Sequence, residues 1–231
     1  ALNDPLTANN LTSQPMSFPA TVTVKDAQNL DETISLGFAN SIAVYGNTLA
    51  VAMESQQKTS AGAVLFYDIS AAVPVFKSAV KVGALPDMVT FNKDGSLLIV
   101  ANEGEPSADY TIDPEGSVAL ITMTNGDASS QAEFIGFSGF NADKATLAAK
   151  GIKFASPVNT TVAQDIEPEY ITVSVDNKKA YVSLQENNAL AVIDLAGRKI
   201  DKLVALGFKD HSIARNSLDV SNQNGVEIQS Y

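Results

Sequence analysis

The chain of 231 residues contains no cysteine and a single histidine, His211. Disulfides, thiolate nucleophiles, Fe–S clusters and cysteine zinc sites are thereby excluded, together with most histidine-based metal and triad chemistry. No run approaches the roughly 18 apolar residues of a membrane-spanning helix. No glycine-rich phosphate loop of the Gly-x-Gly-x-x-Gly or Walker kind lies between a strand and a helix, so no nucleotide fold is indicated. Basic charge is scarce as well: fifteen Lys and Arg stand against twenty-six Asp and Glu, a formal net charge of −11. Such an acidic balance disfavours nucleic acid backbones and anionic lipid, and the expectation is neither a nucleic-acid partner nor membrane insertion. With 45% hydrophobic residues, the chain can still bury a sizeable core.

Residues 1–17 are rich in Asn, Thr, Ser and Pro and show little periodicity, as in an extended N-terminal tail. The stretch lacks the basic and apolar regions of a signal peptide and reads as a mature or trimmed N-terminus. Absence of cysteine suits a bacterial secreted or periplasmic protein, and a reduced cytoplasm equally.

What fills residues 18–231 is a succession of short apolar runs with two-residue alternation, separated by Gly, Asn and Asp. Ser41–Tyr45 meets Thr48–Ala52 across Gly46-Asn47, a pair that tolerates the positive φ of a tight hairpin, and Gly62–Asp68 follows. Asp87–Phe91, Ser96–Ala101 and Gly116–Thr122 repeat the order, as do Glu169–Val173, Lys179–Leu184 and Ala189–Asp194. The register aligns Pro86, Thr90, Asp94 and Val100 with Pro168, Thr172, Asp176 and Val182, and more weakly Val51, Ala52 and Glu54 with Val100, Ala101 and Glu103. A fourth strand fits at Val75–Val82, Gln131–Phe137 and Lys199–Leu206. Four strands per repeat of roughly 40 to 50 residues predict an all-β fold, a β-propeller of four-stranded blades. An antiparallel sandwich with look-alike hairpins is the alternative, and the internal register argues against it.

One short helix is expected between Phe140 and Gly151, with Asn141 as N-cap and Gly151 as the left-handed stop. It lies in an inter-blade insertion near 125–164. The remaining length supplies about four blades, an incomplete ring that suggests a fragment of a longer chain. Another strand begins at Val226–Tyr231.

The segment Asn102–Gly116 places Glu103, Glu105, Asp109, Asp113 and Glu115 together without Lys or Arg. A hard divalent cation such as calcium, which takes six to eight oxygen ligands, would balance this self-repulsion. The spacing is not that of an EF-hand. A second group, Asp165, Glu167 and Glu169, sits at the matching edge of the next repeat, and Glu186 follows the strand equivalent to the one before Glu103. These connections are expected on one face; plain solvated loops are the competing reading. Asp210-His211-Ser212 has the residue types of a triad, but adjacent residues cannot fold into its hydrogen-bonded line. Lys209, His211 and Arg215 remain candidates for contacting an anion.

The stretches Leu85–Phe91, Val100–Ser107 with Asp113–Val118, Ala163–Tyr170, Leu184–Asp194 and Leu206–Ser212 together resemble the choice-of-anchor I family over roughly Phe18–Gly225. The resemblance implies an extracellular, secreted or surface-anchored propeller-like protein; some members are labelled mesenchyme-specific cell-surface glycoproteins and others atypical alkaline phosphatases. Members normally continue through further blades to an anchoring or sorting region. Two functions follow as expectations. The first is a calcium-binding module that presents a recognition surface to a protein or glycan ligand. The second is a metal-dependent phosphoesterase acting on a phosphoester substrate, its catalytic residues unassigned.

Overall fold

The computed structural model describes residues 15–221, 223 and 225–230. The first sheet runs in the order β1 (Thr21–Lys25), β2 (Asp31–Tyr45), β3 (Thr48–Ser55), β4 (Ala61–Asp68) and β5 (Val75–Ala84). The second is built from β6 (Pro86–Phe91), β7 (Leu97–Asn102), β8 (Ser117–Thr124), the two-residue β9 (Asp127–Ala128) and β10 (Glu133–Gly136). Its order is β10-β8-β7-β6, with β9 also pairing β8. The third is the meander β11 (Pro168–Val173), β12 (Lys179–Leu184), β13 (Ala189–Asp194) and β14 (Lys199–Ala205). All pairings are antiparallel.

Alternation along each strand sends one set of side chains to each neighbouring sheet. Ala50, Ala52, Val64, Phe66, Val80 and Val82 of the first sheet pack on Val89, Leu98, Val100, Ala119 and Ile121 of the second. The other face of the second sheet, with Leu97, Ile99, Ala101, Val118 and Leu120, packs on Ile171, Val182, Leu184, Ala191 and Ile193 of the third. Burying one such side chain contributes about 2 kcal/mol, so the two inter-sheet layers dominate stability. Successive up-and-down sheets stacked face to face are β-propeller blades, as the repeat register predicts.

Equivalent turns lie at one end of the stack. Gly95 (φ 70°) and Asn177 (φ 57°) occupy the left-handed positions of matching hairpins. Asn177 accepts from the Lys93 amide at 2.8 Å and donates to Asp94 at 2.9 Å, joining the second and third blades. The connections after β7 and β12 consequently leave from the opposite end.

Three sheets stand among the described residues, where length alone gave about four blades. The difference has two sources. Residues 21–40, absent from the strand assignment, form β1 and the first part of β2, and their Val22, Val24 and Ile34 cover the first sheet's outer face at Val51, Met53, Ala63 and Leu65. The strand expected at Val226–Tyr231 is reduced to one bridge, Leu218 to Gln229, with Tyr231 outside the described residues.

The expected helix is α1 (Lys144–Ala149), closed by Gly151 at φ 97°. Its start differs from expectation: a 3-10 turn over Ser138–Asp143 leads into it, and Asn141 does not cap it. The Asn141 carboxamide oxygen instead accepts from the Ala163 amide at 3.0 Å. That bond anchors a second short helix, α2 (Val162–Asp165), whose Thr161 and Gln164 form a reciprocal capping box.

Candidate acidic cleft

Where β7 ends, the chain turns into the 103–116 loop, which returns to start β8. Gly104 holds φ 74°, and a Cβ there would meet the Gly116 amide at 2.9 Å. The Gly116 amide donates to the Ala163 carbonyl at 2.9 Å, and the Gln164 side chain donates to the Asp113 carbonyl at 3.1 Å. The loop is thus sewn onto α2. On the other side Asn187 donates to the carbonyls of Lys153 and Asp165, at 3.0 and 2.7 Å, and accepts from the Glu167 amide at 3.2 Å. Fully buried, Asn187 fixes the insertion, the β11 approach and the β12–β13 turn against one another.

These ties leave a cleft of about 360 Å³ lined by Glu103, Glu105, Asp113, Asp165, Glu167 and Glu186, with Tyr110 and Gln164 among its other walls. Carboxylates from the ends of separate blades therefore converge, as the repeat register predicts for Glu103, Asp113, Glu167 and Glu186. Burial, then Asp87, Glu105, Glu167 and Glu169, push Glu103 up to about 8. Burial and Glu186, Glu105, Asp165 and Asp113 push Glu167 up to about 7. Glu169 rises to about 8 through burial and the adjoining Glu186 carboxylate, with which it shares a hydrogen bond. Burial and Asp165 raise Asp113, whose Oδ1 is buried without a partner.

Cationic compensation is thin. Lys58 reaches Glu105 at the rim, at 3.4 Å. Lys144 is committed to Asp165, at 3.4 Å, and to the Thr160 carbonyl at 2.7 Å, and it lies over the Phe154 ring.

Other candidates have different surroundings. Asp165 lines the cleft, but its oxygens already accept from the Ala155 amide at 3.1 Å, the Thr160 hydroxyl at 2.9 Å and Lys144. Asp109 lies outside the cleft, accepting from the hydroxyls of Ser107 and Thr111, which hold it down at about 2. Glu115 is exposed and does not line the cleft. Glu54, the first-repeat counterpart of Glu103, is buried elsewhere and accepts from the Phe38 amide at 3.4 Å.

None of Lys209, His211 and Arg215 lines the cleft. The His211 ring Nδ1 lies 2.6 Å from the Asn216 carbonyl, and Asp210 caps Ser212 rather than orienting the histidine. Asp87 is the residue that sequence reasoning missed. Burial and Glu186 raise its pKa, and it is among the charges that raise Glu103 and Glu169. The signal was available, since aligning Pro86 with Pro168 makes Asp87 the counterpart of Glu169.

Every donor in this cleft is an oxygen, the chemistry a hard cation requires. Its geometry is open, however: among the described residues no three His, Asp or Glu side chains are disposed to hold one metal ion.

The choice-of-anchor I domain profile matches residues 6–231. The chain belongs to the choice-of-anchor I family. That places it among propeller-like extracellular domains, and no helix among its described residues is long and apolar enough to cross a membrane. No curated protein matches the chain. Among solved structures it is similar to hydrazine synthase from Kuenenia stuttgartiensis, at 16% identity over 87% of this chain and 46% of that one, TM-score 0.47. It is also similar to the periplasmic gluconolactonase PpgL of Pseudomonas aeruginosa, at 15% identity over 82% and 69% of the two chains, TM-score 0.40. The Cps50 (Swd1) β-propeller domain of Myceliophteria thermophila gives 14% identity over 80% and 49%, TM-score 0.42. The choice-of-anchor I chain spans about half the length of hydrazine synthase and of the Cps50 domain.

Proposed function

We propose that this choice-of-anchor I chain is a secreted, periplasmic or cell-surface recognition module whose acidic cleft takes a hard divalent cation, calcium in the first instance. The observation that carries the reading is the convergence of Glu103, Glu105, Asp113, Glu167 and Glu186 on one cleft, where burial and mutual repulsion raise Glu103 and Glu167, with Lys58 at the rim and Lys144 already engaged. Near neutral pH this group must either hold protons or meet positive charge from outside. A cation entering the cleft would displace those protons and draw Glu103, Glu167 and Asp113 toward it. Glu186, exposed at the edge, and Glu105 would have to move in to complete an oxygen shell, while Asp165 keeps the wall in position. The loop of 103–116 would then be held as one rim of a surface for a protein or glycan ligand.

Phosphoester hydrolysis draws less support from the geometry. Lys209, His211 and Arg215 stand away from the cleft lining, and the cleft repels an anion unless a metal is bound. The deciding experiment is thermal unfolding of the metal-stripped protein with and without calcium, run in parallel with Glu103→Gln and Glu167→Gln. Calcium should raise the melting temperature of the parent by mass action and leave the double variant unmoved. An equal shift in both, or none in either, refutes the reading.

A further inference from the structure

Three hairpins converge at the end of the blade stack away from the acidic cleft: β2–β3 with its turn at Gly46-Asn47, β6–β7 with its turn at 92–96, and β8–β9 with its turn at Asn125-Gly126. Between them lies a second cavity of about 290 Å³, whose walls include Tyr45, Phe91, Met123, Asp94, Thr48 and Asn125. Its described walls come from the first and second blades alone. A glycine seats the aromatic wall. Gly95 takes φ 70°, and a Cβ there would come within 2.1 Å of the Tyr45 ring, so the ring lies directly on the turn. Phe91 supports it from the side, tilted at 42° with ring centroids 5.9 Å apart. Tyr45 nevertheless stays 44% exposed, beside the buried Met123.

Fixed polar groups surround that ring. The Thr48 hydroxyl donates to the Gly126 carbonyl at 3.2 Å, and Lys77 donates to the same carbonyl at 3.0 Å while pairing with Asp127. Asp94 Oδ1 accepts from the Ser96 amide at 3.0 Å and the Ser96 hydroxyl at 2.5 Å, and Oδ2 accepts from Asn177 at 2.9 Å. Those bonds leave one lone pair of Oδ2 for a further donor. The Asn125 carboxamide, exposed, makes no hydrogen bond among the described residues.

We propose that this cavity is a binding site for a neutral sugar, one pyranose ring seated against Tyr45 with its hydroxyls on Asp94 and Asn125. Charge, size and chemistry select that ligand. Asp94 opposes an anion, and the Lys77 ammonium at the Gly126 carbonyl of the wall opposes a second cation. Among the described residues Asp94 is the one acid in the lining, too few for a metal ion. The volume falls at the lower end of the range of ligand pockets, about 300–1,000 Å³, which suits a single ring rather than an acyl chain or a peptide. A seated aromatic ring edged by a few directional donors and acceptors matches a sugar, which presents an apolar C–H face with hydroxyls at its rim.

Saturation-transfer difference NMR with the methyl glycosides of glucose, galactose, mannose and N-acetylglucosamine, at millimolar concentration and with a chelator present, tests this independently of the acidic cleft. At least one glycoside should bind, with saturation strongest on the C–H protons of one ring face. Tyr45→Ala should abolish the transfer. Asn125→Ala, a change at an exposed side chain, should weaken binding about fivefold, the loss of one neutral hydrogen bond. Tyr170→Ala, at an exposed tyrosine of the third blade, should bind as the parent does. Failure of all four glycosides overturns the proposal, as does binding that Asn125→Ala leaves unchanged or that persists in a Tyr45→Ala chain with the parent's circular dichroism. Tyr45-dependent transfer to tetramethylammonium, with none to the glycosides, would assign the cavity to an organic cation and overturn it equally.

Discussion

Raising pH should destabilise this protein across a range in which most acidic proteins change little. Glu103, Glu167 and Glu169 have folded-state values of about 8, 7 and 8 against an ordinary 4.5, so the native state holds protons that the unfolded chain releases. The stabilisation is complete below about pH 4.5 and is lost as pH rises through 7 to 8. Each excess proton contributes about 1.4 kcal/mol per pH unit. All three carboxyls remain partly open to solvent and interact with one another, so about one net proton is counted rather than three. Between about pH 5.5 and 7.5 the loss is then about 3 kcal/mol, a fall of ~6–12 °C in melting temperature for a chain this long. Differential scanning calorimetry in metal-free buffers reads it directly. Glu103→Gln should flatten the slope and raise the melting temperature at the alkaline end, because a neutral amide replaces a buried, crowded carboxylate. A melting temperature that is level or rises over this interval, or a slope that Glu103→Gln leaves unchanged, refutes the reasoning.

Three further outcomes follow from individual contacts. Asp165→Ala leaves the Ala155 amide and the Thr160 hydroxyl without their acceptor, removes the carboxylate partner of Lys144 and should cost about 3 kcal/mol, with limited proteolysis cutting first within 137–167. Asn187→Ala removes the three hydrogen bonds of a buried side chain and should cost ~2–4 kcal/mol in urea unfolding; a loss below about 1 kcal/mol would show that water replaces the clamp. Gly95→Ala puts a Cβ into the Tyr45 ring at a positive φ and should lower the urea midpoint, whereas Gly46→Ala, with φ 57° but open space around it, should lower it less.

The blades were legible because their information is local. Alternation, together with Gly46-Asn47, Asn92–Gly95 and Val175–Lys178 at the turns, fixes both the strands and their order, and the repeat register carries Glu103, Glu167 and Glu186 to one end. The β1–β2 hairpin escaped notice because Asp31, Glu32 and Gly37 interrupt its alternation, and its pairing is defined only once Val22, Val24 and Ile34 find the first sheet. Helix α2 has a readable Thr-x-x-Gln capping box, but four residues are too few for helical periodicity to emerge. Asp165 looked equivalent to Glu167 in the chain. Only the fold brings Lys144 and Thr160 to it, and that difference in partners separates a structural carboxylate from the crowded ones beside it.

Isothermal titration of calcium into the metal-stripped chain near neutral pH probes the acidic cleft most directly, repeated in buffers of different ionisation enthalpy. Saturable binding with release of about one proton per ion is expected, because the ion would displace protons held at Glu103 and Glu167. Both signals should vanish when Glu103 and Glu167 are changed to Gln together. Binding that releases no protons, or that persists in the double variant, would contradict the claim that these carboxylates form the cation site.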